Sequence, residues 1–159
     1  MRAALDAWYR ILRVAVTVLM GLLIVPVTLQ IVSRYTALIP RWIWTEEVAR
    51  FCFAWIILMG AMIAVRDGSH FDVDILPTPR TPRGAAAARL VVYALMGLMA
   101  AIFVVYGVDF ARFGWQQNSE LTGINMVSIY VAYPLAGVTW VLFLGEKALD
   151  AVRTLIRGR

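Results

Sequence analysis

Four apolar stretches, at residues 11–32, 48–65, 90–110 and 126–149, limit what this chain can become. Each is close to the ~20 residues an α-helix needs to cross ~30 Å of hydrocarbon. In a bilayer core no water is available to pair with backbone amides, so only helices or a closed barrel are admissible. The stretches lack the alternating pattern of barrel strands, which leaves helices. The expected fold class is therefore all-α and integral to the membrane, with four transmembrane helices. Read as a single four-helix membrane domain over 1–159, the chain has spans at about 11–33, 46–65, 83–113 and 126–149.

Composition agrees with that reading. Apolar residues make up 62% of the 159 and the mean hydropathy is +0.76, against an apolar share of ~45–50% in soluble domains. Charged residues reach only 16%, and they cluster between the apolar stretches, as expected where lipid excludes them. The net charge of +5 comes from arginines that flank spans. They serve orientation in the lipid bilayer, and no nucleic-acid partner is expected. The start of the chain carries Arg2, Arg10 and Arg13 before an apolar run of about 22 residues with no small-x-small cleavage pattern. It reads as a retained helix and not as a removed leader.

Orientation follows from the basic residues. The N-terminal flank, the 66–89 loop and the C-terminal end together hold eleven Arg and Lys residues, and the opposite side holds four (Arg34, Arg41, Arg50, Arg112). The positive-inside rule then places both termini and the loop between helices 2 and 3 in the cytoplasm. Trp42, Trp44 and Trp115 suit an interfacial aromatic belt on the other side.

Local signals set the boundaries. Thr81-Pro82 offers an N-cap followed by proline at the first helical position. A third helix from there to Trp115 is ~50 Å long at 1.5 Å per residue, which requires tilt or a cytoplasmic extension. Asn125 is placed to cap the fourth helix, and Pro134 and Pro26 to bend the fourth and the first. The stretch LPTPRTPRG reads as an extended linker. Small residues recur four apart at Gly60/Ala64, Gly97/Ala101 and Ala132/Ala136, a spacing that lets helices approach closely in lipid.

No ionisable residue falls mid-segment; Glu46, Glu47, Arg50, Asp109 and Arg112 all lie near a segment end. Pumps and autonomous transporters usually carry such a residue deep in the membrane. The phosphate-cradling GxxxxGK[ST] loop is missing, as is any zinc-ligand spacing, and there is one histidine, His70. No enzyme chemistry and no cofactor is expected. Two polar clusters remain. Thr45 is positioned to cap the second helix, with Glu46 and Glu47 in its first turn and Arg50 within pairing distance of both. His70 lies with Asp67, Asp72 and Asp74 beside a Gly68-Ser69 turn. Local capping and pairing account for both clusters. The other reading of the first is that one carboxylate pairs with a partner subunit.

Arg34-Tyr35, then WTEEVAR at 44–50, then Gly60-Ala61, then R-x-G-x-H-x-x-V-D (Arg66, Gly68, His70, Val73, Asp74) resembles the small, Q-type membrane subunit of tripartite ATP-independent periplasmic (TRAP) transporters. Tyr133-Pro134-Leu135-Ala136-Gly137 resembles that family's fourth helix, with Asn125-Met126 where proline is common. The resemblance implies a scaffold subunit of the bacterial inner membrane, bound to a large multi-span membrane subunit. A periplasmic substrate-binding protein would supply small organic acids for ion-coupled uptake. It implies fold or subunit-joint roles for Arg34, Trp44, Glu46, Glu47, Arg50, Gly60, Arg66, His70 and Asp74. The alternatives from other classes are a tetraspan anchor or adaptor of another membrane complex, a redox-complex anchor, and a small multidrug transporter.

Overall fold

A computed structural model describes residues 2–36, 40, 42–68 and 82–157. Its elements are α1 (Arg2–Tyr35), α2 (Trp44–Asp67), α3 (Pro82–Trp115), a single turn α4 (Val127–Tyr130) and α5 (Ala132–Arg157). Among the described residues no strand forms, and α1, α2, α3 and the α4–α5 unit are each long and apolar enough to cross a membrane. Thr81, His70, Asp72 and Asp74 lie outside the described residues, and with them the capping role expected of Thr81.

α1 begins nine residues before the apolar run at 11–32, and its sequence explains why. Leu5, Trp8, Tyr9 and Leu12 fall at i, i+3, i+4 and i+7, one stripe of a helix. Leu5 and Leu12 are buried, and Trp8 and Tyr9 pack against the same core. α2 ends on Gly68, whose φ of 77° lets its N–H reach the Ala64 carbonyl at 2.9 Å. Lys147 Nζ covers the Val65 carbonyl beside it, also at 2.9 Å. α3 starts at Pro82 and ends at Trp115, as the proline and the apolar pattern predict.

Three expectations about boundaries are corrected. Thr45 does not cap α2: it sits inside the first turn, buried, and its hydroxyl donates back to the Trp42 carbonyl at 2.7 Å. The fourth span is not one helix. Pro134 has no N–H to offer the Tyr130 carbonyl, so the ladder breaks at Val131 between α4 and α5. Asn125 is not the N-cap of α4, which is Met126; it stands one residue earlier and braces the turn, its Oδ1 accepting the Val127 N–H at 3.0 Å.

Packing runs in the order α1–α2–α5–α3. The core of Leu5, Leu12, Leu58, Met62, Val65, Phe143 and Leu144 lies where α1, α2 and α5 meet, toward the end that carries the start of α1. α3 and α5 are pressed closely along another seam. A Cβ at Gly137 would stand 2.8 Å from the Ala100 carbonyl oxygen, and one at Gly107 2.8 Å from the Pro134 nitrogen. Ala100, Ala132 and Ala136 are fully buried along it. The small-residue pairs expected from sequence are therefore corrected in part. Ala132/Ala136 serves close packing, whereas Gly60 and Gly97 face open space. Phe103 lies 4.8 Å from Trp140 and Phe110 stacks at 4.0 Å on Tyr130, filling the volume beside the seam.

Candidate functional site

Polar side chains gather at the two ends of the helices. At the end holding the start of α1, Arg66 of α2 is the hub. Its Nη1 donates to Glu146 Oε2 of α5 at 3.1 Å, and its Nη2 pairs with Asp6 of α1. Its guanidinium carbon lies 5.0 Å from the Phe143 ring centre and 5.7 Å from that of Tyr9. Glu146 also meets Arg2 at 3.4 Å, and Arg2 holds Asp150 at 2.9 Å. Tyr9 donates its hydroxyl to Asp67 at 2.7 Å. Arg66 and Glu146 keep only 18% and 20% of their side chains exposed, so solvent screens this pair much less than a surface pair. Three helices are tied together here. Of these residues Arg66 and Asp67 stood out in the sequence; Asp6 and Glu146 did not, because they lie 60 and 80 positions from Arg66.

At the opposite end, a tight hairpin over 116–126 links α3 to α4. Ser119 N–H donates to the Ile124 carbonyl and Met126 N–H to that of Gln117, both at 2.9 Å. Asn125 Nδ2 reaches the Trp115 carbonyl at 2.9 Å and Asn118 Oδ1 at 3.2 Å. Trp55 Nε1 of α2 donates to the Ser128 carbonyl of α4 at 3.0 Å, fixing this hairpin to the second helix.

The acidic cluster in the first turn of α2 divides. Arg50 pairs with Glu46 at 3.1 Å, and both side chains are exposed. It does not pair with Glu47, although both acids lie within its reach in sequence. Both acids are helical neighbours of Arg50, at i−3 and i−4, and the arginine takes the exposed one. Glu47 turns inward, and its Oε2 is buried with no hydrogen-bond partner. It lines a cavity of about 220 Å³ with Leu19 and Leu22 of α1, Phe51 and Cys52 of α2, and residues of the 116–126 hairpin and α4.

The remaining candidates are dispersed. Trp44 opens α2 and stacks at 6.1 Å on Trp42. Arg34 is exposed in the last turn of α1 and makes no hydrogen bond or ion pair among the described residues. His70 and Asp74 lie outside the described residues. Arg66 stands some nineteen residues from Glu47 along α2, ~29 Å at 1.5 Å per residue. The candidates thus form two separate ends and not one site. Among the described residues no group of His, Cys, Asp and Glu is arranged to hold a metal ion.

Comparison with known proteins points one way. The family described as tripartite ATP-independent periplasmic transporters, DctQ component, matches residues 23–154. A protein of Haemophilus influenzae named as a TRAP transporter small permease is 30% identical over 97 residues, covering 60% of this chain and 58% of the relative. A second from the same organism, similarly named, is 25% identical over 116 residues, covering 72% and 71%. The sialic acid TRAP transporter small permease protein SiaQ of Vibrio cholerae is 29% identical over 144 residues, covering 87% of this chain and 79% of that protein. The chain spans a little over half of the first relative's length and more than two thirds of the other two.

Proposed function

The chain belongs to the DctQ component family of TRAP transporters, and from that premise we propose that it is the fixed support against which a large membrane subunit works. It is a multi-pass transport component and not an enzyme. In the proposed complex the large multi-span subunit carries the substrate and couples its uptake to an ion gradient. A periplasmic binding protein delivers small organic acids to it. Both termini and the connection between α2 and α3 face the cytoplasm, where most of the Arg and Lys residues fall.

The observation that carries this reading is the network around Arg66. It joins α1, α2 and α5 through partly buried pairs, and α5 is joined to α3 by a seam with no room for an added Cβ. Helices coupled in this way suit a body that keeps its shape while a neighbour moves. Apolar side chains along α1 and α3, among them Val14, Val18, Leu95 and Leu98, are exposed and available to lipid or to the large subunit. Of the candidates, Arg66 supports the fold. Trp44, Glu46, Glu47 and Arg50 lie where a subunit joint on the periplasmic side would form; we assign Arg34 and Gly60, open in this chain, and His70 and Asp74 to the same supporting work.

Mild detergent extraction of the tagged chain from cells that also make the large subunit tests the partnership. The large subunit is expected to co-purify in near-equal amount. Recovery of the tagged chain without it, under conditions that keep both folded, contradicts the reading.

A further inference from the structure

Glu47 lies near the end of its own helix but not near the end of its neighbour. The cavity it lines is walled by Leu19 and Leu22, about halfway along α1. Beyond Leu22, α1 runs thirteen more residues to Tyr35, ~20 Å at 1.5 Å per residue. On that overhang Ile24, Val25 and Ile31 are exposed. The carboxylate is therefore held at a level where the adjoining helix is still apolar, with Oε2 buried and unpartnered. Glu47 as a whole is partly buried, but even one buried, unpartnered carboxylate oxygen costs free energy that a pairing group would recover.

The other polar side chains around the cavity are already engaged. Asn125 Oδ1 accepts the Val127 N–H, and its Nδ2 donates to the Trp115 carbonyl and to Asn118. Ser128 Oγ donates to the Asn125 carbonyl at 2.6 Å, and Thr122 Oγ1 accepts the Ile124 N–H at 3.4 Å. Arg50, close by on the same helix, is committed to Glu46. A bare cation needs several oxygen ligands together and finds one free carboxylate here. A guanidinium or ammonium group brings its own donors on an apolar stem. It thus matches about 220 Å³ of mostly apolar space around a single acceptor.

We propose that this cavity is the socket for one basic side chain of the large membrane subunit, whose charge neutralises Glu47 when the two subunits assemble. The proposal rests on the small-subunit reading above. It adds a specific residue, a place and the chemistry of the partner group.

The test compares recovery of the large subunit with the tagged full chain as wild type, Glu47→Gln and Glu120→Gln. Glu120 is an exposed carboxylate on the 116–126 hairpin and serves as the control. Glu47→Gln is expected to lower recovery by roughly tenfold or more, since it removes one charge of a buried pair, and Glu120→Gln to leave recovery unchanged. Thermal unfolding of the full chain alone supplies the second readout. Glu47→Gln should unfold at the same or a higher temperature, because the amide replaces an uncompensated carboxylate. Wild-type recovery with Glu47→Gln overturns the socket. A lowered unfolding temperature of the Glu47→Gln chain alone overturns it too, by assigning Glu47 to the chain's own packing. So does a sodium-dependent rise in wild-type unfolding temperature that Glu47→Gln abolishes, which gives the cavity to an ion. If the wild-type chain recovers no large subunit, the small-subunit reading itself fails first.

Discussion

Arg66 and Arg50 stand on the same helix and each pairs with a carboxylate, yet they do different amounts of work. Arg66 is four-fifths buried, bonded to Glu146 and Asp6 and packed over Phe143. Arg50–Glu46 is an exposed i,i+4 pair of the kind that contributes ~0.3–0.5 kcal/mol. Glu146 keeps Arg2 as a second partner, which moderates the loss of Arg66. Arg66→Ala is expected to lower stability by about 2–3 kcal/mol, and Arg50→Ala by less than about 0.5 kcal/mol, measured as thermal unfolding in detergent. Equal effects would mean that the Arg66 network does not tie the helices together. The sequence made Asn125 and Pro134 visible as local features at the start of the fourth span, because both act within a few residues, although a bend and not a break was expected at Pro134. The inward turn of Glu47 was not visible there, because it depends on which way α2 is rotated, and α2 is apolar on nearly every side.

That same evenness limits what was legible at the scale of elements. Length and hydropathy give the existence of the helices, since a bilayer imposes both. They do not give the packing face when lipid and helix neighbours favour the same residues. Gly60/Ala64 and Gly97/Ala101 were reasonable candidates for close approach on spacing alone. The seam instead runs through Gly107, Gly137 and Ala100, set by the approach of α3 to the broken helix at Pro134. The amphipathic start of α1 shows a one-sided stripe, and there Leu5 and Leu12 are buried on the stripe itself. Orientation is the other property the elements carry. In the proposed orientation, with both termini inside, the α3–α4 hairpin would face the periplasm. A cysteine in place of Glu120 should then react with a membrane-impermeant maleimide in intact spheroplasts. The native Cys52, only 1% exposed, gives little background. Labelling only after lysis would invert the proposed topology.

Across the molecule, the described charged side chains gather toward the two ends of the apolar spans, and the described interior polar groups mostly bond helix to helix or helix to hairpin. Gln30 Nε2, Trp140 Nε1 and Glu47 Oε2 are buried without a partner, and of the three only Glu47 carries a charge; it lines a space that this chain does not fill. The proposed role is that such a body braces a neighbour. The central claim is therefore tested most directly by uptake of a labelled small organic acid into liposomes under an imposed ion gradient, with the binding protein outside. Liposomes holding this chain and the large subunit together should accumulate substrate, and liposomes holding this chain alone should match empty ones. Accumulation by this polypeptide alone would contradict the account.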